Sequence, residues 1–251
     1  MLSQEVALEL NNVDKTFWIR EKSNDSIRER LGGLFSGVSS TREIKALQNI
    51  NLTIYKGEFF GIVGHNGSGK STLLKLIMGA IKPDKGAKVV SNGKVLRLAL
   101  GMGFDPNLSA RHNIYVNGSI MGLTFKEIGN KFHEIIEFGG LEEFVDTPIK
   151  YYSSGMVSRL AFSIAMHVEA DILLIDEFFG GVGDEAFKQK SSEKFKERII
   201  EGKTIVFVSH EMSLIEEYCN RVCVMDGGRM LKTGEVSEII PFYMSLYENN
   251  G

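Results

Sequence analysis

Three short stretches of this chain carry residue types that could act together on a phosphorylated substrate. The first, Gly64-His65-Asn66-Gly67-Ser68-Gly69-Lys70-Ser71-Thr72, fits the pattern GxxxxGK[ST]. Glycines at 64, 67 and 69 let the backbone curl until successive N–H groups converge on phosphate oxygens, and a helix beginning there adds partial positive charge. In such a loop Lys70 reaches the β- and γ-phosphates and Ser71 holds Mg²⁺. The second stretch is Asp176-Glu177 and the third Ser209-His210, each at the end of a short apolar run. A buried strand that stops on carboxylates places them at the carboxyl edge of a parallel sheet, where open α/β folds bind ligands. Taken singly, each has a plainer reading: a glycine-rich turn, a helix cap, a structural histidine. Together they ask for a fold that gathers three strand ends.

The pattern around them supplies such a fold. Phe59 to Val63 is an apolar strand feeding the glycine loop, and Thr72 to Ala80 reads as the helix leaving it. Ile172 to Ile175 and Thr204 to Val208 are buried strands separated by a helical stretch from Ala186 to Ile200, the βαβ logic of a parallel sheet. The chain closes with a strand from Arg221 to Met225, a turn at Asp226-Gly227-Gly228, a further strand, and a helix from about Ser237 to Glu248. At the other end, Val6 to Leu10 and Ile50 to Tyr55 alternate apolar and polar residues, as half-exposed strands of an antiparallel sheet do. Strands near Val89 and Val95 to Leu98 flank Asn92-Gly93, which reads as a hairpin turn. Between these strands and the acidic one, Gly101 to Pro106 is rich in breakers and Ser109 to about Val168 is helical. Within that block Thr124 and Glu127 form a capping box opening a helix through Phe138, and Ser154 to Val168 is another helix. The expected fold class is α/β, with a P-loop core, an antiparallel β subdomain, and an inserted α-helical subdomain over about 106–168, all in one domain spanning 1–251.

Composition narrows the partners. The chain has 251 residues, 43% of them hydrophobic, enough for a real core, and a net charge of -3. That balance gives no electrostatic footprint for nucleic acid, short of a local basic patch, so no nucleic acid is expected. Cys219 and Cys223 have neither CxxC nor zinc-knuckle spacing and are expected to be reduced and buried. The N-terminus has no apolar signal core and no apolar run approaches a membrane span, so a cytosolic protein is expected that meets the membrane only through a partner. One segment stands apart. From 21 to 42 the chain is polar and rich in Ser and Gly, yet Ile27, Leu31, Leu34 and Phe35 recur at helical spacing. It reads as an inserted loop with a short amphipathic helix, either packed on its own domain or docked on a partner or membrane surface.

With Tyr152-Ser153-Ser154-Gly155-Met156 at the start of a helix, the motifs taken in order resemble the ATP-binding-cassette (ABC) ATPases, over roughly Val6 to Gly234. The resemblance implies ATP and Mg²⁺ as ligands. Asp176 would coordinate Mg²⁺ with Ser71, Glu177 would orient and deprotonate the attacking water, and His210 would sense the γ-phosphate. Phe17 would stack on adenine, with Trp18 as its rival. It also implies a homodimer, because Ser153, Ser154 and Gly155 would complete the site of the opposite copy, and a polytopic membrane permease as partner at the cytoplasmic face of the inner membrane.

The chain departs from that family's pattern in three places. No glutamine lies between Lys70 and Ser153, and Gly103-Phe104-Asp105-Pro106-Asn107 stands where one is usual. Contact with metal and permease would then run through Asp105, Asn107 or backbone. Asp184 lies seven residues after Glu177, one more than is common, and Ser154 and Met156 replace Gly and Gln in the signature. The Gly101 to Tyr115 run, Tyr151 to Met156, Val182-Gly183-Asp184 and the 21–42 insertion are similar to ATPases that export bacterial surface polysaccharides such as O-antigen, capsule or teichoic acid. An extra C-terminal carbohydrate-binding domain, found in some O-antigen members, is not expected in a chain ending at Gly251. The alternatives are an exporter of lipid or small solute, and a soluble non-transport ATPase of the same superfamily.

Overall fold

The computed structural model describes residues 5–20, 41–98, 100–176, 185–200 and 202–248. Its first two strands, β1 (Val6–Arg20) and β2 (Thr41–Tyr55), run antiparallel. After them come β3 (Phe59–Val63), α1 (Lys70–Ile77), β4 (Lys88–Ser91) and β5 (Val95–Leu98). Three helices follow: α2 (Ala110–Ile120), α3 (Phe125–Gly139) and α4 (Ser154–Met166). The remainder is β6 (Ile172–Asp176), α5 (Glu185–Ile200), β7 (Thr204–Val208), α6 (Met212–Tyr218), β8 (Arg221–Asp226), β9 (Arg229–Glu235) and α7 (Val236–Glu248).

These strands make two sheets. One is antiparallel, ordered β2-β1-β4; the other is ordered β5-β6-β7-β3-β8-β9, parallel except for the last pair. All five residues of β3 and all five of β7 are buried, as strands covered on both faces must be. Alternation then divides the core. Phe60, Ile62, Ile172, Leu174, Val206, Val208, Cys223 and Met225 face a cluster shared with α1 and the antiparallel sheet. Phe59, Leu96, Leu98, Leu173, Ile175, Ile205, Phe207, Val222 and Val224 join a second cluster with Ile114, Phe132, Leu160, Phe162, Ile215 and Ile239 from the helices. Because β6 keeps this period to its end, Asp176 shares the face of Ile172 and Leu174, the side on which α1 lies.

Asn92-Gly93 does not close a hairpin. β4 pairs with β1 in one sheet and β5 pairs with β6 in the other, so the dipeptide is where the chain changes sheets. The local chemistry fits a crossing as well as a turn. Asn92 donates through N and Nδ2 to the carbonyls of Ala7 and Val6. Gly93 has φ +144, and a Cβ there would lie 2.5 Å from Cβ of Asp171. Asp171 in turn accepts from Lys94 N at 2.7 Å and immediately precedes β6.

The breaker-rich connection before the helical block is held firmly. Asn113 of α2 is fully buried; its Nδ2 donates to the carbonyls of Asp105, Leu108 and Ser109, and its Oδ1 accepts from Asp105 N. Asn117, one turn on, donates to Met102 O at 2.5 Å. The Thr124/Glu127 capping box is present at the start of α3. α3 packs against α4 and α2 against both, as expected of one helical unit. Both cysteines are free; Cys223 is buried, whereas Cys219 is only partly so. Burial pushes both thiols up, Cys223 to about 12, and keeps them protonated. Ile27, Leu31, Leu34 and Phe35 of the insertion lie outside the described residues. Among those described, no helix is long and apolar enough to cross a membrane.

Candidate functional site

β3 ends at Val63 and the chain curls through 64–69 into α1. The curl needs its glycines: a Cβ on Gly64 would sit 2.2 Å from the carbonyl oxygen of Met225, and Gly69, with φ +107, would bring one 2.8 Å from that of Ala46. Gly69 also caps α1, and no side chain accepts from the helix's first N–H groups. Helices α2, α3 and α4, by contrast, are capped by the hydroxyls of Ser109, Thr124 and Ser153. An uncapped start behind a concave glycine loop is an anion site. Ser68 adds a fully buried hydroxyl whose Oγ has no hydrogen-bond partner. Lys70 curls back, its Nζ donating to the carbonyls of Gly64 at 2.6 Å and His65 at 2.9 Å. Its ammonium is thus held at the mouth of the cradle it would serve.

Distant chain braces the loop. Gly228, in the turn between β8 and β9, donates to Ser68 O at 3.0 Å, and its own carbonyl accepts from Gln48 N of β2 at 2.8 Å. His65 turns away from the cradle: Nε2 is 2.5 Å from Asp226 Oδ1 and Nδ1 is 2.6 Å from Asn66 O. Both ring nitrogens face acceptors, an arrangement that favours the doubly protonated ring. The Asn66 carbonyl first, then Asp226, hold the imidazole pKa above its ordinary value.

A cavity of about 510 Å³ opens over this loop, within the size range of small-ligand sites. Gly64, Asn66, Gly67, Ser68, Gly69, Lys70, Ser71 and Thr72 form its floor, while Asp176, Ser209, His210, Gly227 and Gly228 come from the ends of β6, β7 and β8. Phe17 and Ile44, paired across β1 and β2, form another wall. Phe17 has 38% of its surface exposed there; Trp18, one residue on and 66% exposed, is not part of the lining. Strand alternation explains the choice between them.

The donor set suits Mg²⁺. The Ser71 hydroxyl and the Asp176 carboxylate line the same cavity and are hard oxygen ligands. Among the described residues no cluster of three or more His, Cys, Asp or Glu could hold an ion unaided, so an ion here would draw the rest of its shell from phosphate oxygens and water. That is the usual habit of Mg²⁺ at nucleotide sites. Asp176 Oδ2 accepts from Arg97 Nη2 of β5 at 2.8 Å, a contact that sequence pattern did not reveal. Only the β5–β6 register shows that Arg97 and Asp176 share a face.

Glu177 and Asp184 fall outside the described residues. Ser153, Ser154 and Gly155 open α4 and are not part of this cavity's lining. Ser153 Oγ accepts from Met156 N at 3.2 Å, leaving its proton free to donate. Asp105 and Asn107 do not line the cavity either; Asp105 Oδ1 accepts from Asn107 N at 2.9 Å and closes a local turn.

A glycine-lined cradle between a buried parallel strand and an uncapped helix, faced by a carboxylate and a histidine from neighbouring strand ends, defines a P-loop nucleotide-binding protein. Residues 47–180 match the family described as "ABC transporter", and the chain belongs to that family. Over 201 residues it is 49% identical to the O-antigen export system ATP-binding protein RfbB of Myxococcus xanthus, covering 80% of this chain and 46% of that protein. It is 38% identical over 238 residues to the teichoic acids export ATP-binding protein TagH of Staphylococcus epidermidis, covering 95% of this chain and 88% of that one. The chain thus spans about half the length of the first relative and most of the second. A dimeric ATP-binding cassette solved with ADP and Pi has the same fold, with TM-score 0.65 and 23% identity over 91% of this chain and 98% of its own.

Proposed function

We propose that this chain is the ATP-hydrolysing subunit of a transporter that exports a bacterial cell-surface polysaccharide, working as a homodimer beneath a polytopic permease at the cytoplasmic face of the inner membrane. The observation that carries the reading is the single cavity joining the phosphate loop, Ser71, Asp176, His210 and Phe17. The export role rests on the relatives of O-antigen and teichoic acid systems.

In this reading Phe17 stacks on adenine, the N–H groups of 64–72 hold the phosphates, and Lys70 leaves the carbonyls of Gly64 and His65 to meet the β- and γ-oxygens. Ser71 and Asp176 would hold Mg²⁺, which would supply charge neutralisation to the phosphates. Glu177, next in the chain after Asp176, takes the proton of the attacking water, and His210 donates to the γ-phosphate. Ser153, Ser154 and Gly155 at the start of α4 supply a second set of donors to the nucleotide of the opposite copy. ATP then closes two copies together and hydrolysis releases them.

Three measurements test this. Lys70→Ala should lower steady-state phosphate release about a hundredfold, roughly 3 kcal/mol of transition-state stabilisation; near-normal turnover would overturn the enzymatic role. Glu177→Gln should bind ATP without turnover and elute as a dimer, whereas a monomer in saturating ATP would overturn the shared site. Deletion of the protein should trap a surface glycan inside the cell; unchanged surface glycan would overturn the export role.

A further inference from the structure

Asp176 is tethered from outside the phosphate loop. Arg97, third residue of β5, faces Leu174 across the parallel pair, and its guanidinium leans forward along the strand so that Nη2 donates to Asp176 Oδ2 at 2.8 Å. Among the described residues this is the only hydrogen bond to that carboxylate. The arrangement is not that of a loose surface pair. The side chains of Arg97 and Asp176 are 32% and 19% exposed, and Arg97 Nε is buried without a hydrogen-bond partner. Arg97 also lines a groove with Met78, Met102, Ile120 and Met121. A guanidinium kept there with one donor unpaired is stabilised chiefly by the carboxylate it reaches.

We propose that Arg97 is a positioning residue for the Mg²⁺–nucleotide site. By occupying Oδ2 it fixes the torsion of the Asp176 carboxylate, so that Oδ1 is the oxygen left for the ion in the cavity shared with Ser71. Partners of this kind, one bond removed from a metal, commonly set ten- to hundredfold of its affinity. The inference rests on the reading of the cavity as a Mg²⁺–ATP site.

Binding, not turnover, tests it. ATP binding to the full chain is measured by calorimetry in EDTA, and Mg²⁺ is then titrated onto the ATP-loaded protein. Arg97→Met keeps an apolar stem and removes charge and fork; Arg97→Lys keeps the charge with a single point donor. The expected result is an apparent Mg²⁺ affinity weakened about tenfold in Arg97→Met, partly recovered in Arg97→Lys, with metal-free ATP affinity within about twofold of the parent. An unchanged Mg²⁺ curve, a tighter one, or equal losses with and without metal would overturn the proposal. If Arg97→Met fails to fold, Arg97→Lys decides by the same ratio. Absence of ATP binding by the parent chain in both arms would instead overturn the nucleotide reading beneath it.

Discussion

His65 and Asp226 are 161 positions apart in the chain, yet Nε2 of one lies 2.5 Å from Oδ1 of the other and fastens the phosphate loop to the end of β8. With the second ring nitrogen on Asn66 O, the folded state favours the imidazolium and raises its pKa, opposed by partial desolvation and then by Lys70. Stability from a raised histidine pKa is complete below the ordinary value of 6.5 and is lost as pH rises through the folded one. Both side chains are nearly half exposed, which limits the effect to about 1–3 °C in melting temperature. The melting temperature of the parent should therefore fall between about pH 6 and pH 8.5 by that much more than that of Asp226→Asn. Parallel pH curves would rule the pair out as a source of stability.

Phe17 and Trp18 make opposite predictions. Phe17 lines the nucleotide cavity and Trp18 does not. Base stacking on an aromatic ring is worth about 1–3 kcal/mol, so Phe17→Ala should weaken ATP binding roughly tenfold or more in calorimetry. Trp18→Ala should change it less than about twofold. The reverse order would move the adenine to the other face of β1.

Gly64 faces the Met225 carbonyl so closely that Gly64→Ala must displace either the loop or β8. Strain of this kind costs about 1–3 kcal/mol. Denaturant melts should show that loss, and ATP affinity should drop by at least about tenfold, since the N–H groups of 64–70 move with the loop. An alanine variant with parent-like ATP affinity would show that the cradle tolerates a shift.

Glu58 is fully buried, accepting from Tyr55 N at 2.8 Å and from Arg221 Nη1 at 2.9 Å. Burial pushes its carboxyl up, against the pull of the Tyr55 N–H and of Arg221. Removing one partner of such a pair typically costs about 3–5 kcal/mol because the other stays buried and unpaired. Arg221→Met should show that loss in urea unfolding, and Glu58→Gln combined with Arg221→Met should recover most of it. Additive losses would place the effect of Arg221 in its packing over Tyr55 and Phe60 instead.

What could be read from sequence, and what could not, divides by the range of the physics. The glycine loop, β7 from Thr204 to Val208 and the Thr124/Glu127 box are set by neighbours in the chain, and the structure has them where the pattern puts them. The Asn92-Gly93 crossing was misread because turn chemistry is local, while the choice of partner strand is not. β1 and β2 are longer than their alternation suggested because bulges break its period. Asn12 and Asn49 take φ of 49° and 50° and shift the register, each N–H held by a side chain of the facing strand, Asn51 Oδ1 and Asp14 Oδ1. Arg97 gave no signal, since an arginine in a short strand looks like a solvated edge until register places it beside Asp176. In the site, Phe17, the phosphate loop, Ser71, Asp176 and His210 do line one cavity.

The hydrogen bond from Gly228 to Ser68, with Gln48 on the far side of the same turn, has a consequence for synthesis. Contacts of such long sequence separation form late and slowly. On the ribosome, the first two hundred residues can emerge with the phosphate loop complete in sequence but unbraced. A nascent chain halted before Gly228 should therefore capture ATP poorly, and the nucleotide becomes a report that the C-terminal strands have docked.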